Sequence, residues 1–487
     1  MRVVSTLCLP PTTPRCPVPI LHPFSFATAS TGLLASLLGT LLLIAACGSS
    51  PAQDDPSIAS VLQGTITVNS EVDPSGDYSG FSVLVIQPVG RQVDTLGIAR
   101  TDTSGAFEMT VQAPERAIYP YVVQRRGNTV HRGELVIADG DTASLQMELP
   151  VRRLPRIRSP ENDALMAYRN TMTLHRQTMV RNLQEDLDQT RMGQNIRQTS
   201  SILWRLRETF PGSYVGDLAA VESISMIQGW NDSLTVARTQ ALAPTNPRYA
   251  EAVRVARQSQ AQLHGQDAAL ALLRDAISRS DSANASTNVR ASLQAEVVRA
   301  HLDSLNRDAA QSAARTLRDT YPNTEWAEWA TRAEYEAENL LPGNMAPNIS
   351  MTTTDGDTIS LESLRGQPVL LEFYRPESRL YREQIPTRNA IYEGTEAEDL
   401  QLISISLQPD SVLNTAFRDG RSLPGLHVIA PEGVESPLLE TYNIASLPTR
   451  VLIDAEGRIV DKYLGTAIVS LQDDLRALSS SASAEMP

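Results

Sequence analysis

A chain of 487 residues exceeds what one ordinary hydrophobic core holds, and at roughly 150 residues per domain it divides into about three folded units. An apolar share of 41% and a charged share of 20% fit a folded, water-facing protein, apart from one segment near the N-terminus. The formal charge of −14, with Lys462 the sole lysine, argues against a phosphate-backbone partner, so nucleic acid is not expected.

The apolar segment is Thr31 to Ala46, TGLLASLLGTLLLIAA, with Arg2 and Arg15 upstream and Cys47 directly after it. It is short of the ~20 residues a membrane span needs and suits the core of a secretion signal. Ile44-Ala45-Ala46-Cys47 resembles a bacterial lipobox. That resemblance implies removal of residues 1–46 as a signal peptide and attachment of a diacylglyceryl group to Cys47, giving a membrane contact through lipid. A plain signal or anchor with an incidental cysteine is the alternative. Gly48-Ser49-Ser50 carry no aspartate next to the cysteine. By resemblance to lipoprotein sorting rules, this implies a cell-envelope protein, an outer-membrane lipoprotein facing the periplasm. Residues 47–60 are polar and read as a tether.

Short alternating runs such as Thr65-Ile66-Thr67-Val68 and Ser82-Val83-Leu84-Val85-Ile86, split by turns such as Asp73-Pro74-Ser75-Gly76, predict an antiparallel β sandwich over 61–150. Ala99 to Phe107 resembles the hairpin of carboxypeptidase-regulatory-like domains, with Asp102 bonding turn amides and Gly105 supplying a positive φ. With no nucleophile or ligand cluster, this module reads as a binding domain or a spacer. Prolines at 150, 155 and 160 mark a boundary.

Residues 161–340 are rich in alanine, arginine, glutamine and leucine and predict helices. Leu206-Arg207-Glu208-Thr209-Phe210-Pro211-Gly212-Ser213 matches Leu317-Arg318-Asp319-Thr320-Tyr321-Pro322-Asn323-Thr324, each a helix running into an aromatic-Pro turn. This resembles tetratricopeptide-type (TPR-like) hairpins and implies a stacked array with a partner-binding surface; an irregular linking bundle remains open beside it.

From Leu341 the pattern changes again. Pro342 to Ile349, Asp355-Gly356-Asp357-Thr358-Ile359-Ser360-Leu361, the apolar run Val369-Leu370-Leu371-Glu372-Phe373-Tyr374, Leu400 to Leu407, and Leu447-Pro448-Thr449-Arg450-Val451-Leu452-Ile453 followed by Asp454-Ala455-Glu456-Gly457 stand in order. They resemble TlpA-like, alkyl-hydroperoxide-reductase-related (AhpC/TSA) thioredoxin domains over 341–480, with 481–487 read as a disordered tail. The order of the three parts resembles that of Bacteroidetes-type periplasmic disulfide reductases. The fold class expected is thus multidomain α+β: an N-terminal antiparallel β sandwich, a helical TPR-like middle and a C-terminal thioredoxin-like α/β domain.

The resemblance breaks at the reactive turn. Disulfide-active members carry W-C-x-x-C, with the first thiolate held at a helix N-terminus that lowers its pKa. Counting back from Pro386, Ser378 stands at the first cysteine position and Tyr381 at the second. Serine has no accessible anion at neutral pH and tyrosine cannot resolve a mixed disulfide. Cys8 and Cys16 lie in the expected signal and Cys47 at the expected anchor, so no thiol remains for exchange. Ser378 is expected to cap its helix. As a nucleophile it would need a base, and none of His22, His131, His175, His264, His301 and His427 neighbours it in sequence; only folding could bring His427 close. The scattered histidines offer no metal site, and no cofactor motif is present. What the resemblance leaves is a cis-proline loop, Leu447-Pro448-Thr449, able to offer main-chain groups to an extended polypeptide, with Arg375, Arg379, Arg382 and Arg450 adding positive charge. The expected function is a redox-inactive envelope scaffold that binds a protein or peptide. The alternatives are a thiol-disulfide oxidoreductase by fold and a helical-repeat adaptor of an outer-membrane complex.

Overall fold

The computed structural model describes residues 58–89, 92–184, 189–393 and 400–484, so the expected signal, lipobox and Cys47 lie outside the described residues. The chain divides into two compact units, with the boundary between Leu263 and His264, inside the stretch expected as one helical domain.

Unit 1 opens with two four-stranded sheets. One has the order β4 (Ala106–Ala113), β1 (Ile58–Val68), β7 (Thr142–Leu149), β8 (Arg156–Arg158); the other β3 (Gln92–Arg100), β2 (Phe81–Val89), β5 (Ala117–Arg125), β6 (Asn128–Ile137). Alternating residues Leu62, Ile66, Phe81, Val83, Val85, Val111, Val123, Leu135 and Leu145 are buried in one core. Three expectations change here. Residues 58–60 belong to β1 rather than to a tether, because their pairing to β4 starts at Ile58. The sandwich is not wholly antiparallel, since β1 and β7 run parallel. The proline-marked boundary also holds a strand, β8, antiparallel to β7. In the Asp102 turn, Oδ1 accepts Ser104 N at 2.8 Å and Ala106 N at 2.9 Å. Gly105 has φ +82, and a Cβ there would meet the Ile66 carbonyl oxygen at 2.1 Å, so only glycine fits.

Five helices complete the unit: α1 (Pro160–Gln184), α2 (Gln189–Thr209), α3 (Tyr214–Ile227), α4 (Asp232–Ala241) and α5 (Tyr249–His264), the last ending at the boundary. Pro160 takes the first position of α1, where its missing N–H costs nothing. Val136 of β6 packs with Ala164, Leu165 and Val215, and Asn162 bonds both backbone groups of Val136.

Unit 2 begins with α6 (Gln266–Ser282), α7 (Thr287–Asp303), α8 (Arg307–Thr320) and α9 (Glu325–Asn339). The two matching sequence segments do the same job: Phe210-Pro211 separates α2 from α3 with Ser213 at the N-cap, and Tyr321-Pro322 separates α8 from α9 with Thr324 at the N-cap. After a hairpin of β9 (Ser350–Thr352) and β10 (Thr358–Ser360) comes a five-stranded sheet of order β13 (Leu426–Ile429), β12 (Gln401–Ser406), β11 (Val369–Tyr374), β14 (Thr449–Ile453), β15 (Ile459–Leu464). The first three strands are mutually parallel, while β14 and β15 are antiparallel to their neighbours. The helices are α10 (Arg379–Glu393), α11 (Ser411–Asp419), α12 (Pro437–Thr441) and α13 (Ile468–Ala484). The last corrects the expected tail: residues 481–484 continue a helix, as their serine-alanine run permits. Core residues on one face include Phe373, Ile403, Ile405 and Val451, and on the other Leu370, Leu402, Leu452 and Leu471. This central sheet sets α10 at the end of β11 and Pro448 at the start of β14, side by side.

Candidate functional site

Because β11 is buried along its whole length, every side chain it carries must find its partner inside the protein. Five of its residues are satisfied by packing or by the tyrosine pair below, but Glu372 is a carboxylate with no exposure. The β11/β14 register places Arg450 directly across from it, and Arg450 Nε donates to Glu372 Oε1 at 2.9 Å. From α10, Arg388 Nε donates to Oε2 at 2.7 Å, and from β12, Ser404 Oγ donates to the same oxygen at 3.3 Å. Tyr381 Oη completes the set at 3.0 Å. Gln384 Oε1 accepts from both Nη atoms of Arg450 at 3.2 Å, and Arg388 Nη2 donates to Ser404 Oγ at 2.8 Å.

Burial alone would push the Glu372 carboxyl up, but the guanidinium charges of Arg388 and Arg450, with the Arg388 and Tyr381 hydrogen bonds, prevail and hold it below the usual carboxylate range. Burial, then the Glu372 charge, pushes the Tyr381 phenol well above its ordinary value. Tyr374, stacked on Tyr381 at 4.2 Å between ring centroids, is pushed up to about 12 by burial first and by Glu372 second. Neither phenol ionises near neutral pH.

Ser378 sits where expected, ahead of α10, and its Oγ accepts the Tyr381 amide at 3.3 Å. This is capping geometry. The second cysteine position is different in kind from a groove residue, because Tyr381 is fully buried and faces Glu372 and Tyr374. His427 lies on β13, and its Nε2 donates to the Leu423 carbonyl at 2.9 Å, so that nitrogen is committed away from Ser378. Burial lowers the His427 pKa. Among the described residues no group of three His, Cys, Asp or Glu side chains could hold a metal ion, and no helix is long and apolar enough to cross a membrane.

The Leu447–Pro448 peptide bond is cis. Leu447 is half-buried and Ser446 exposed, whereas Pro448 and Thr449 are buried, with Thr449 Oγ1 donating to the Ser446 carbonyl at 2.6 Å. Leu447 and Ser446 therefore present the loop, and Thr449 does not. The expected basic rim is also much reduced. Arg450 belongs to the buried Glu372 cluster and adds no charge to a surface. Arg375 pairs with Glu377, and Arg379 with Glu383 at 2.6 Å. Arg382 is exposed and has no ion-pair partner among the described residues, so it is the cation left free of these four.

Residues 342–464 match the model of the AhpC/TSA family. The C-terminal domain is a TlpA-like thioredoxin domain. The chain is 26% identical over 130 residues to the thiol-disulfide oxidoreductase ResA of Bacillus cereus, covering 27% of this chain and 73% of that protein. It is 27% identical over 146 residues to the thioredoxin-like protein YneN of Bacillus subtilis, covering 29% of this chain and 82% of that one. Among solved structures, a thiol-disulfide oxidoreductase from Bacteroides fragilis matches with 23% identity and a TM-score of 0.25, over 27% of this chain and 99% of its own. The family match and the five-stranded sheet make this domain thioredoxin-like, with Ser378 and Tyr381 at the turn that precedes and opens α10.

Glu372, Arg388, Gln384 and Ser404 were not singled out from the sequence. The signal was present: one carboxylate in an otherwise apolar strand, Val369 to Tyr374, demands a buried counter-charge.

Proposed function

We propose that this chain is an envelope lipoprotein, anchored through Cys47, whose thioredoxin-like domain binds an extended polypeptide beside Pro448 without reacting with it. The carrying observation is Tyr381. The position that a resolving thiol would need is filled by an aromatic ring sealed in the core and bonded to a compensated carboxylate, while Ser378 is occupied with capping. A site arranged this way supports no electron transfer through sulfur, yet it leaves Ser446 and Leu447 accessible as a docking edge. Arg382, the one of the four arginines without an ion-pair partner among the described residues, favours a partner segment with some acidic character.

The test is a photo-crosslinking amino acid placed at Ser446 in the intact envelope, with Glu362, exposed near the opposite end of β11, as control. A discrete polypeptide adduct from Ser446 alone is expected. No adduct, or equal adducts from both positions, would contradict docking at this loop. Fatty-acid labelling lost in Cys47→Ala checks the anchor separately. A second reading, favoured by the matching Phe210-Pro211 and Tyr321-Pro322 helix turns, makes the helices an adaptor surface for a larger outer-membrane complex.

A further inference from the structure

Unit 1 contains a buried arginine in a different situation from Arg450. Arg238 of α4 is 7% exposed. Its Nη1 donates to Ser200 Oγ of α2 at 2.6 Å and to Ser223 Oγ of α3 at 2.7 Å. Its guanidinium carbon lies 5.2 Å from the centre of the Trp204 ring. No carboxylate among the described residues pairs with it. Among the described residues its Nε and Nη2 have no acceptor, and neither belongs to the donors that are sealed from water and unsatisfied. A mostly buried guanidinium without a carboxylate partner is a costly arrangement, and the edge that still reaches water is where an outside carboxylate could compensate it.

A second cation shares the same indole. The Arg207 guanidinium carbon is 4.0 Å from the Trp204 ring. Its ion pair is loose, 3.9 Å to Glu208, whose side chain is 62% exposed. Arg207 also donates to the Ala241 carbonyl at 3.3 Å, and its charge reaches Asp217, whereas Arg238 has no carboxylate partner among the described residues. Burial lowers the Arg238 pKa with no charge opposing it, but the group remains protonated at neutral pH.

We propose that Arg238, Arg207 and Trp204 form a docking site for a carboxylate side chain of an acidic polypeptide. The Nε and Nη2 hydrogens of a guanidinium point the same way and match the two oxygens of a planar carboxylate. Arg207 adds a second positive charge at the rim, and the indole lies against the methylene stem of a glutamate. A planar carboxylate uses both of its oxygens on this edge, and inorganic phosphate is the competitor that tests the preference. This site is independent of the loop at Pro448 and of any role proposed for it.

The probe is a fluorescein-labelled repeating Glu-Gly peptide, titrated with the full mature chain and followed by anisotropy, with a Gln-Gly peptide as control and inorganic phosphate as competitor. A saturable rise is expected for Glu-Gly and none for Gln-Gly, with binding at least about tenfold weaker in Arg238→Gln. Because that change strips Ser200 and Ser223 of their donor, Arg207→Gln provides the second variant: it leaves their pairing intact and should also weaken binding severalfold. Absence of saturable binding, equal binding of Gln-Gly, full affinity in folded Arg207→Gln and Arg238→Gln, or displacement by phosphate as effective as by free Glu-Gly peptide would each overturn the proposal.

Discussion

Arg450 and Arg238 are both buried arginines, one in each unit, and they differ in what completes them. Arg450 meets Glu372 across a strand pair, with Arg388, Tyr381 and Ser404 donating to the same carboxylate and Gln384 accepting from Arg450 itself. Arg238 meets two serine hydroxyls and an indole and keeps one edge without an acceptor. A buried charge that is fully paired is part of the scaffold, and its removal breaks the fold. A buried charge left half-paired is, on the proposal above, open to a carboxylate from outside. In the C-terminal domain the polar centre beside the Ser378–Tyr381 turn is part of the scaffold.

The sharpest way to break this comparison is Glu372→Gln, which leaves two guanidiniums facing each other in the core. It is expected to destabilise the C-terminal unit by about 3–5 kcal/mol, read as a loss of denaturant midpoint. The same interaction can be weakened reversibly with acid. Since the folded Glu372 carboxyl sits below its unfolded value of about 4.3, the native state binds fewer protons there, so its stabilisation is present above that pH and is lost as pH falls through the folded value. Unfolding followed from neutral pH downward should show an acid-side decline that Glu372→Gln flattens; an unchanged slope would count against the cluster as drawn.

Tyr381→Phe removes one hydrogen bond to that carboxylate and keeps the stack on Tyr374, so a loss of about 1.5–3 kcal/mol is expected by the same measurement. Arg238→Met should cost less, within about 2 kcal/mol, because it removes an uncompensated charge along with two hydrogen bonds. A loss as large as that of Glu372→Gln would erase the distinction between the two arginines. Smallest is Ser378→Ala, which deletes a helix cap and should cost about 1 kcal/mol.

Much of the C-terminal architecture was legible from residue order. The run before α10, apolar but for Glu372, the Leu447-Pro448 loop and the Asp-Gly turns each encode a local geometry, and the loop is cis as the resemblance implied. What could not be read was which arginine faces where. Arg375, Arg379, Arg382 and Arg450 look alike in a sequence, yet the strand register alone decides that Arg450 lies opposite Glu372. The parallel pairing of β1 with β7 escaped for a related reason, because alternation fixes a strand's faces but not its neighbours. Likewise α13 extends to Ala484 although serine and alanine there carry no pattern that separates helix from tail.

The most direct measurement is reduction of insulin by the mature chain, with dithiothreitol as electron donor and Ser378→Ala alongside. The expected result is no turnover above the dithiothreitol background in either protein. Turnover above background that disappears in folded Ser378→Ala would contradict the claim that this thioredoxin-like domain binds without reacting.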